Sequence, residues 1–228
     1  MKMLLGLALV FATLMSCQSR YEEALPPLEA LKAGNQRFMS GHPVHPHETL
    51  KRLRDLKKGQ DPHTVVVSCS DSRVPPELIF DQGLGDIFSV RTAGNVIGDY
   101  ELGSIEYAVE HLGCKLVVVL GHEECGALKA YLGHRDGEIS SDHIMSIVTY
   151  LENEEEEQAL EMSENMSLDS AVQANIKHGV KLLQSSEPIL RHLAEKGEVK
   201  IVGALYTLDN GEVTFMEMVM AGAFILFA

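Results

Sequence analysis

Lys115-Leu116-Val117-Val118-Val119-Leu120-Gly121-His122-Glu123-Glu124-Cys125 is the stretch that decides the fold. Five apolar residues follow the lysine without a polar break, and a glycine ends the run. A short, β-branched run of this kind reads as a strand covered on both faces, as in a parallel sheet. Thr64-Val65-Val66-Val67-Ser68 has the same character. Asp86 to Arg91 and Val199 to Tyr206 supply two further strands. Helical periodicity lies between and after them, at Leu102 to Leu112, Asp169 to Leu183 and Glu187 to Lys196. Asp209-Asn210-Gly211 is a hairpin signal leading into a fifth strand, Glu212 to Met216. This alternation predicts an α/β fold. Its centre is a mostly parallel β-sheet, about four parallel strands plus an antiparallel edge strand, flanked by helices.

Working outward toward the N-terminus, Leu28, Leu31, Ala33, Phe38 and Met39 recur at near-helical spacing, and Gly41 and Pro43 end that helix. It forms an N-terminal helical arm. His42, His45 and His47 follow, interleaved with Pro43 and Pro46. No carboxylate or cysteine is paired with them locally, so the tract is expected to be a surface loop or an arm crossing a neighbouring subunit. Residues 48–58 read as a basic amphipathic helix broken by Gly59-Gln60-Asp61-Pro62. The first seventeen residues differ in kind. Lys2 precedes an apolar run, Leu4 to Met15, too short to span a bilayer comfortably. Residues 1–17 are expected to be a signal peptide. Leu14-Met15-Ser16-Cys17 resembles a bacterial lipobox, which would make Cys17 a lipidated first residue. Ordinary cleavage nearby is the second reading and an uncleaved anchor the third. Residues 18–27 read as a tether and 28–228 as a single domain. The chain is therefore expected to be exported, either periplasmic or membrane-anchored through Cys17.

The formal charge of −14 argues against nucleic acid or an anionic membrane surface as a partner. Much of that charge is local. Glu152, Glu154, Glu155, Glu156, Glu157, Glu161 and Glu164 are expected to form a solvated helix or loop. Lipidation of Cys17 leaves Cys69, Cys114 and Cys125, an odd number that argues against a disulfide framework. Cys114 is expected to be an inert buried thiol.

Two motifs stand at strand ends. Cys69-Ser70-Asp71-Ser72-Arg73 leaves the first strand, and His122-Glu123-Glu124-Cys125 leaves the third. In open α/β sheets, ligands gather outside the carboxyl ends of strands near a switch point, so the two motifs can share one crevice. Thiolates and an imidazole select zinc over magnesium or calcium. Three protein ligands leave the fourth position open, which is the catalytic arrangement.

Those motifs, together with Val74-Pro75-Pro76-Glu77, Arg91-Thr92-Ala93-Gly94-Asn95, Gly103-Ser104-Ile105-Glu106-Tyr107-Ala108, Ala174-Asn175 and Gly203-Ala204-Leu205-Tyr206, make the chain similar to the β-class carbonic anhydrases. The resemblance runs from about Leu28 to Met216. It implies zinc-dependent reversible hydration of carbon dioxide to bicarbonate and a proton, by attack of zinc-bound hydroxide. It implies one zinc per chain on Cys69, His122 and Cys125, with Asp71 and Arg73 as a dyad beside the metal. Asp71 is held ionised by Arg73 or, in a closed state, swings onto zinc as a fourth ligand. It also implies a homodimer or homotetramer. Zinc lowers the pKa of bound water from about 16 to about 7 at a three-histidine site. Two thiolates weaken that effect, so activity is expected to rise toward alkaline pH.

Glu123, Glu124, His111 and His134 are candidate proton carriers. Gly94 and Gly126 are read as points of close backbone approach to the small substrate or its metal, or equally as turn glycines, Asn95 as fixing its loop, and Ser70 and Ser72 as capping or satisfying backbone groups. Some family members use a Trp in a non-catalytic bicarbonate pocket, and this chain has no Trp. Two other functions fit the motifs: hydrolysis of carbon disulfide or carbonyl sulfide on the same fold, and a non-catalytic zinc-binding lipoprotein.

Overall fold

The computed structural model describes residues 25–135, 142–161, 166–219 and 223–227. The expected signal peptide, the lipobox with Cys17 and most of the tether lie outside these residues, as does Glu164.

A six-stranded sheet forms the centre, in the order β2-β1-β3-β4-β5-β6. The strands are β1 (Thr64–Cys69), β2 (Ile87–Thr92), β3 (Leu116–His122), β4 (Lys200–Tyr206), β5 (Val213–Val219) and β6 (Ala223–Phe227). The first four are parallel, and β5 and β6 are antiparallel. The predicted sheet is correct with one addition. The apolar tail pairs with β5, so β6 rather than β5 is the edge.

Every residue of β1 and β3 is buried, because side chains alternate between two covered faces. Val65, Val67, Val117 and Val119 pack on one face against Ile105, Ala108, Val109, Val180, Leu183 and Leu190. These come from helices α4 (Asp99–Glu110), α8 (Leu168–Ser185) and α9 (Leu190–Glu195). Val66, Leu116, Val118 and Leu120 face the other way, onto Leu31, Ile79, Phe80 and Phe215. Leu31 lies on α1 (Pro27–Met39) and Ile79 on α3 (Pro76–Ile79). Each such buried valine or leucine contributes roughly 1.5–3 kcal/mol.

The arm folds back on its own domain. Backbone N–H groups of Val44 and His45 donate to the Asp81 carboxylate, which Arg37 also holds. His47 Nδ1 lies 2.8 Å from Asp86. The basic helix appears as α2 (Leu50–Asp55) and a 3-10 turn, but it buries no residue, and Leu50 and Leu53 face outward. Asn35 on α1 joins three segments. It donates to Ile79 O and Gly211 O and accepts from Val213 N.

Helices α3, α5 (Gly126–Arg135) and α6 (Asp142–Glu152) were not foreseen, and the glutamate run read as a solvated helix or loop forms α7 (Glu155–Glu161). The last corrects the reading of the glutamate run as solvated, since Glu154, Glu156 and Glu157 are buried. Glu156 pairs with His178 and Lys181 on α8, while Asn175 of the same helix donates to Glu154.

Candidate metal centre

The chain passes from β1 to β2 on one side and then returns to place β3 on the other side of β1. That reversal makes the cleft between the ends of β1 and β3 a switch point. Cys69 is the last residue of β1 and His122 the last of β3. Gly121 lets β3 reach that position under α8, because a Cβ there would sit 2.5 Å from Ile176 Cγ1. The turn after His122 carries Glu124 at φ 56°, a left-handed non-glycine, and leads Cys125 into the start of α5.

Ligand atoms of Cys69, His122 and Cys125 lie within 4.8 Å of one another, and all three residues are buried. His122 Nδ1 is 2.7 Å from Glu123 O, so Nδ1–H donates to that carbonyl. This tautomer leaves the Nε2 lone pair available, and Nε2 is buried with no hydrogen-bond partner. A buried imidazole nitrogen aimed at two sulfurs fits a thiophilic cation.

The Cys69 sulfur accepts backbone N–H bonds from Asp71 at 3.4 Å and Gly94 at 3.3 Å. Its pKa is pulled down, first by the Cys125 thiol beside it, then by His122 and these two amides, against the opposing effect of burial. Cys125 is pushed up by Cys69 and by burial, while the Ala127 and Leu128 amides at the start of α5 oppose the rise. Two buried thiols share one negative charge in this arrangement. A divalent cation would remove that conflict, since a coordinating thiol is deprotonated.

Asp71 and Arg73 form the expected pair. Arg73 donates from Nε to Oδ1 at 2.9 Å and from Nη2 to Oδ2 at 2.7 Å, and its backbone N–H adds a third bond to Oδ1. The Arg73 hydrogen bonds pull the Asp71 carboxyl down to about 2. Asp71 is not in the ligand cluster, and both its oxygens are occupied by Arg73. Arg73 Nη2 also donates to Glu124 O, linking the two motifs.

Arg91 has a role that sequence reasoning missed. Its guanidinium donates to Cys69 O at 3.0 and 3.1 Å and to Asp71 O at 2.8 Å, clamping the first motif from β2. The signal was its place at a strand end inside the quoted Arg91–Asn95 run. Gly94 approaches its neighbours closely, and what it meets is the Cys69 sulfur and α5. It has φ 68°, its N–H reaches Cys69, and a Cβ would lie 2.8 Å from Ala127 Cβ. Gly126 has open space instead. Asn95 does fix its loop, donating to Asn175 Oδ1.

The four candidate proton carriers are dispersed. Glu123 accepts from Leu208 N, and Glu124 pairs with Lys129. His111 packs at a tilt against Tyr107 at the end of α4, and His134 lies 3.7 Å from Glu152. Cys114 is buried as expected, donating to Pro62 O, and burial raises its pKa to about 11.

Residues 64–213 match the family model described as carbonic anhydrase. The chain is 41% identical over 185 residues to carbonic anhydrase 2 of Mycobacterium tuberculosis, covering 80% of this chain and 88% of that protein. It is 43% identical over 187 residues to a carbonic anhydrase of Mycolicibacterium smegmatis, covering 81% and 89%. Among solved structures, the β-carbonic anhydrase CcaA superposes with a TM-score of 0.68 at 28% identity, covering 88% of this chain and 92% of that one. A structure described as one of two tetrameric β-carbonic anhydrases from Sordaria macrospora gives 0.62 at 23% identity, covering 95% and 98%.

Proposed function

Because this chain belongs to the carbonic anhydrase family, we propose that Cys69, His122 and Cys125 hold one zinc ion per chain, with Asp71 and Arg73 serving the reaction beside it. The chain is a lyase that reversibly hydrates carbon dioxide to bicarbonate and a proton. The observation that carries the zinc assignment is His122 Nε2, buried, unbonded and grouped with two sulfurs. Zinc bound there would supply Lewis acidity that makes a water molecule nucleophilic, with the two thiolates moving that activation toward alkaline pH.

The chain's own residues do the rest. Glu123 O fixes the His122 tautomer through Nδ1–H. Backbone amides of Asp71 and Gly94 draw charge from the Cys69 sulfur, which would leave a bound cation more Lewis-acidic. Asp71, ionised and held in plane by Arg73, is an acceptor that can orient the attacking water by taking a hydrogen bond from it. Arg91 keeps the strand end rigid, so that acceptor and sulfur move together.

Purified protein should contain about one zinc per chain and accelerate carbon dioxide hydration in stopped flow. Replacing Cys125 by Ser should abolish both, and a variant that keeps full zinc would refute the ligand assignment.

Export is proposed from the apolar run Leu4–Met15 and the sequence Leu14–Cys17, with a lipid on Cys17 tethering the enzyme to a periplasmic membrane face. Among the described residues, no helix is long and apolar enough to cross a membrane. Incorporation of a labelled lipid precursor, lost in Cys17→Ser, is the expected result. Assembly as a homodimer or homotetramer is proposed from the outward-facing Leu50, Leu53, Tyr100 and Tyr107. Light scattering that returns the mass of one chain would refute it.

A further inference from the structure

Glu154 is a carboxyl group that no step above uses, and it is 2% exposed. It sits between α6 and α7, with its backbone N–H on Leu151 O and its carbonyl accepting from Gln158 N. Asn175 Nδ2, from α8, donates to its two oxygens at 3.2 and 3.5 Å. Asn175 is itself buried, and its Oδ1 accepts from Asn95 Nδ2 at 2.5 Å. Asn95 is buried with φ 44°, a left-handed conformation that asparagine adopts more readily than most non-glycine residues. The residue before it is Gly94, whose N–H points at the Cys69 sulfur. Two hydrogen bonds, one peptide step and a third hydrogen bond therefore lead from the segment between α6 and α7 to a proposed metal ligand.

Direction matters along this line. An amide has distinct donor and acceptor ends. Asn175 can offer its oxygen to Asn95 only while its nitrogen has an acceptor on the other side. Glu154 is that acceptor.

We propose that Glu154 is a positioning residue for the metal centre, setting the orientation of Asn175 and, through Asn95, the turn that presents Gly94 N–H to Cys69. The inference rests on the reading of Cys69 as a zinc ligand. Other ionisable groups surround Glu154. Glu156 and Glu157 come from its own segment, His178 and Lys181 from α8, and Tyr150 from α6. Burial, with Glu157 adding to it, pushes the Glu154 carboxyl up to about 9, so it is uncharged at neutral pH. The role therefore calls for an acceptor oxygen and not for a negative charge, which sets it apart from an ion pair.

Metal-free full-length protein is titrated with zinc against a chromophoric chelator, and the cobalt-substituted form is examined for its thiolate-to-metal absorption band. Glu154→Leu should weaken zinc binding by roughly tenfold, as loss of an outer partner of a ligand does, and shift the cobalt band. If that variant does not fold, Asn175→Ala cuts the same line one bond nearer the metal and carries the same expectation. Glu154→Gln keeps an acceptor oxygen and should bind zinc within about threefold of the parent, in line with a net hydrogen-bond change below about 1 kcal/mol. Tyr150→Phe is the structural control. Its hydroxyl donates to Ile97 O at 2.7 Å, bracing the same segment without touching Asn95. Unchanged zinc affinity in Glu154→Leu and Asn175→Ala overturns the proposal. So does an equal loss in Tyr150→Phe, which refers the effect to general loosening, or a tenfold loss in Glu154→Gln. A parent protein that takes up no zinc overturns the metal reading itself.

Discussion

Asp71→Asn isolates the acceptor beside the metal. The substitution keeps shape and volume but exchanges one oxygen for an NH2 group. Both Asp71 oxygens now receive hydrogen bonds from Arg73, at 2.9 and 2.7 Å. In the variant the new NH2 faces a guanidinium donor or turns toward the site, and either way one charge-assisted acceptor is lost. Such a bond contributes about 1.5–3 kcal/mol. Arg73 has 50% of its side chain exposed, so solvent screening holds the effect to the lower part of that range. A barrier increase of about 1.5–2 kcal/mol is a fall of about 10- to 30-fold in turnover. The assay is stopped-flow hydration with zinc counted in each sample. Asp71 has its pKa depressed to about 2, so its charge is lost only in strong acid and is constant across the assay range. Asn should therefore lower the plateau of the pH profile, and loss of a fixed negative charge beside the metal should move its midpoint toward lower pH. Turnover within twofold of the parent at full zinc would refute the role of the carboxylate.

Three further outcomes follow from particular contacts. Gly121→Ala places a methyl group 2.5 Å from Ile176 Cγ1 and should cost about 1–3 kcal/mol, lowering Tm by several degrees; an unchanged Tm would remove the packing argument for that glycine. Arg91→Ala deletes the clamp on Cys69 O and Asp71 O and should weaken zinc retention about tenfold, measured against a chelator, although Arg91 touches no metal ligand atom. Glu154 has a folded-state pKa of about 9, above its ordinary 4.5, so the folded chain binds the extra proton and stability declines as pH rises between those values; denaturant unfolding of the zinc-loaded protein at pH 5 and 8 should show a smaller decline in Glu154→Gln, and identical declines would contradict the raised pKa.

What could be read beforehand was what depends on neighbours along the chain. The valine runs in β1 and β3 identify themselves, because a strand buried on both faces needs no polar alternation. Cys69 and His122 could be placed together because both end such strands. The glutamate run was misread for the opposite reason. Nothing near residues 154–157 reveals that Asn175, His178 and Lys181 will stand opposite, and those partners are about twenty residues away. The helix α5 escaped notice because it buries only Leu128 and Tyr131, too few positions for a clear period. Residues 223–227 carry no strand signal of their own, since pairing with β5 is a tertiary event. Arg91 was quoted within a motif, but its carbonyl partners carry no mark in sequence.

The ligands' separation in the chain also sets an order of events. Cys69 and His122 are more than fifty residues apart and meet only when β1 and β3 pair side by side. Closing a loop of that length costs entropy that a pair of contacts cannot offset until the sheet itself has formed. Tight capture of the ion is thus a late step, reporting that the sheet has closed. Metal supply then matters where folding finishes, not where synthesis begins. A chain of this design is loaded from the ion pool of the compartment in which its sheet is completed.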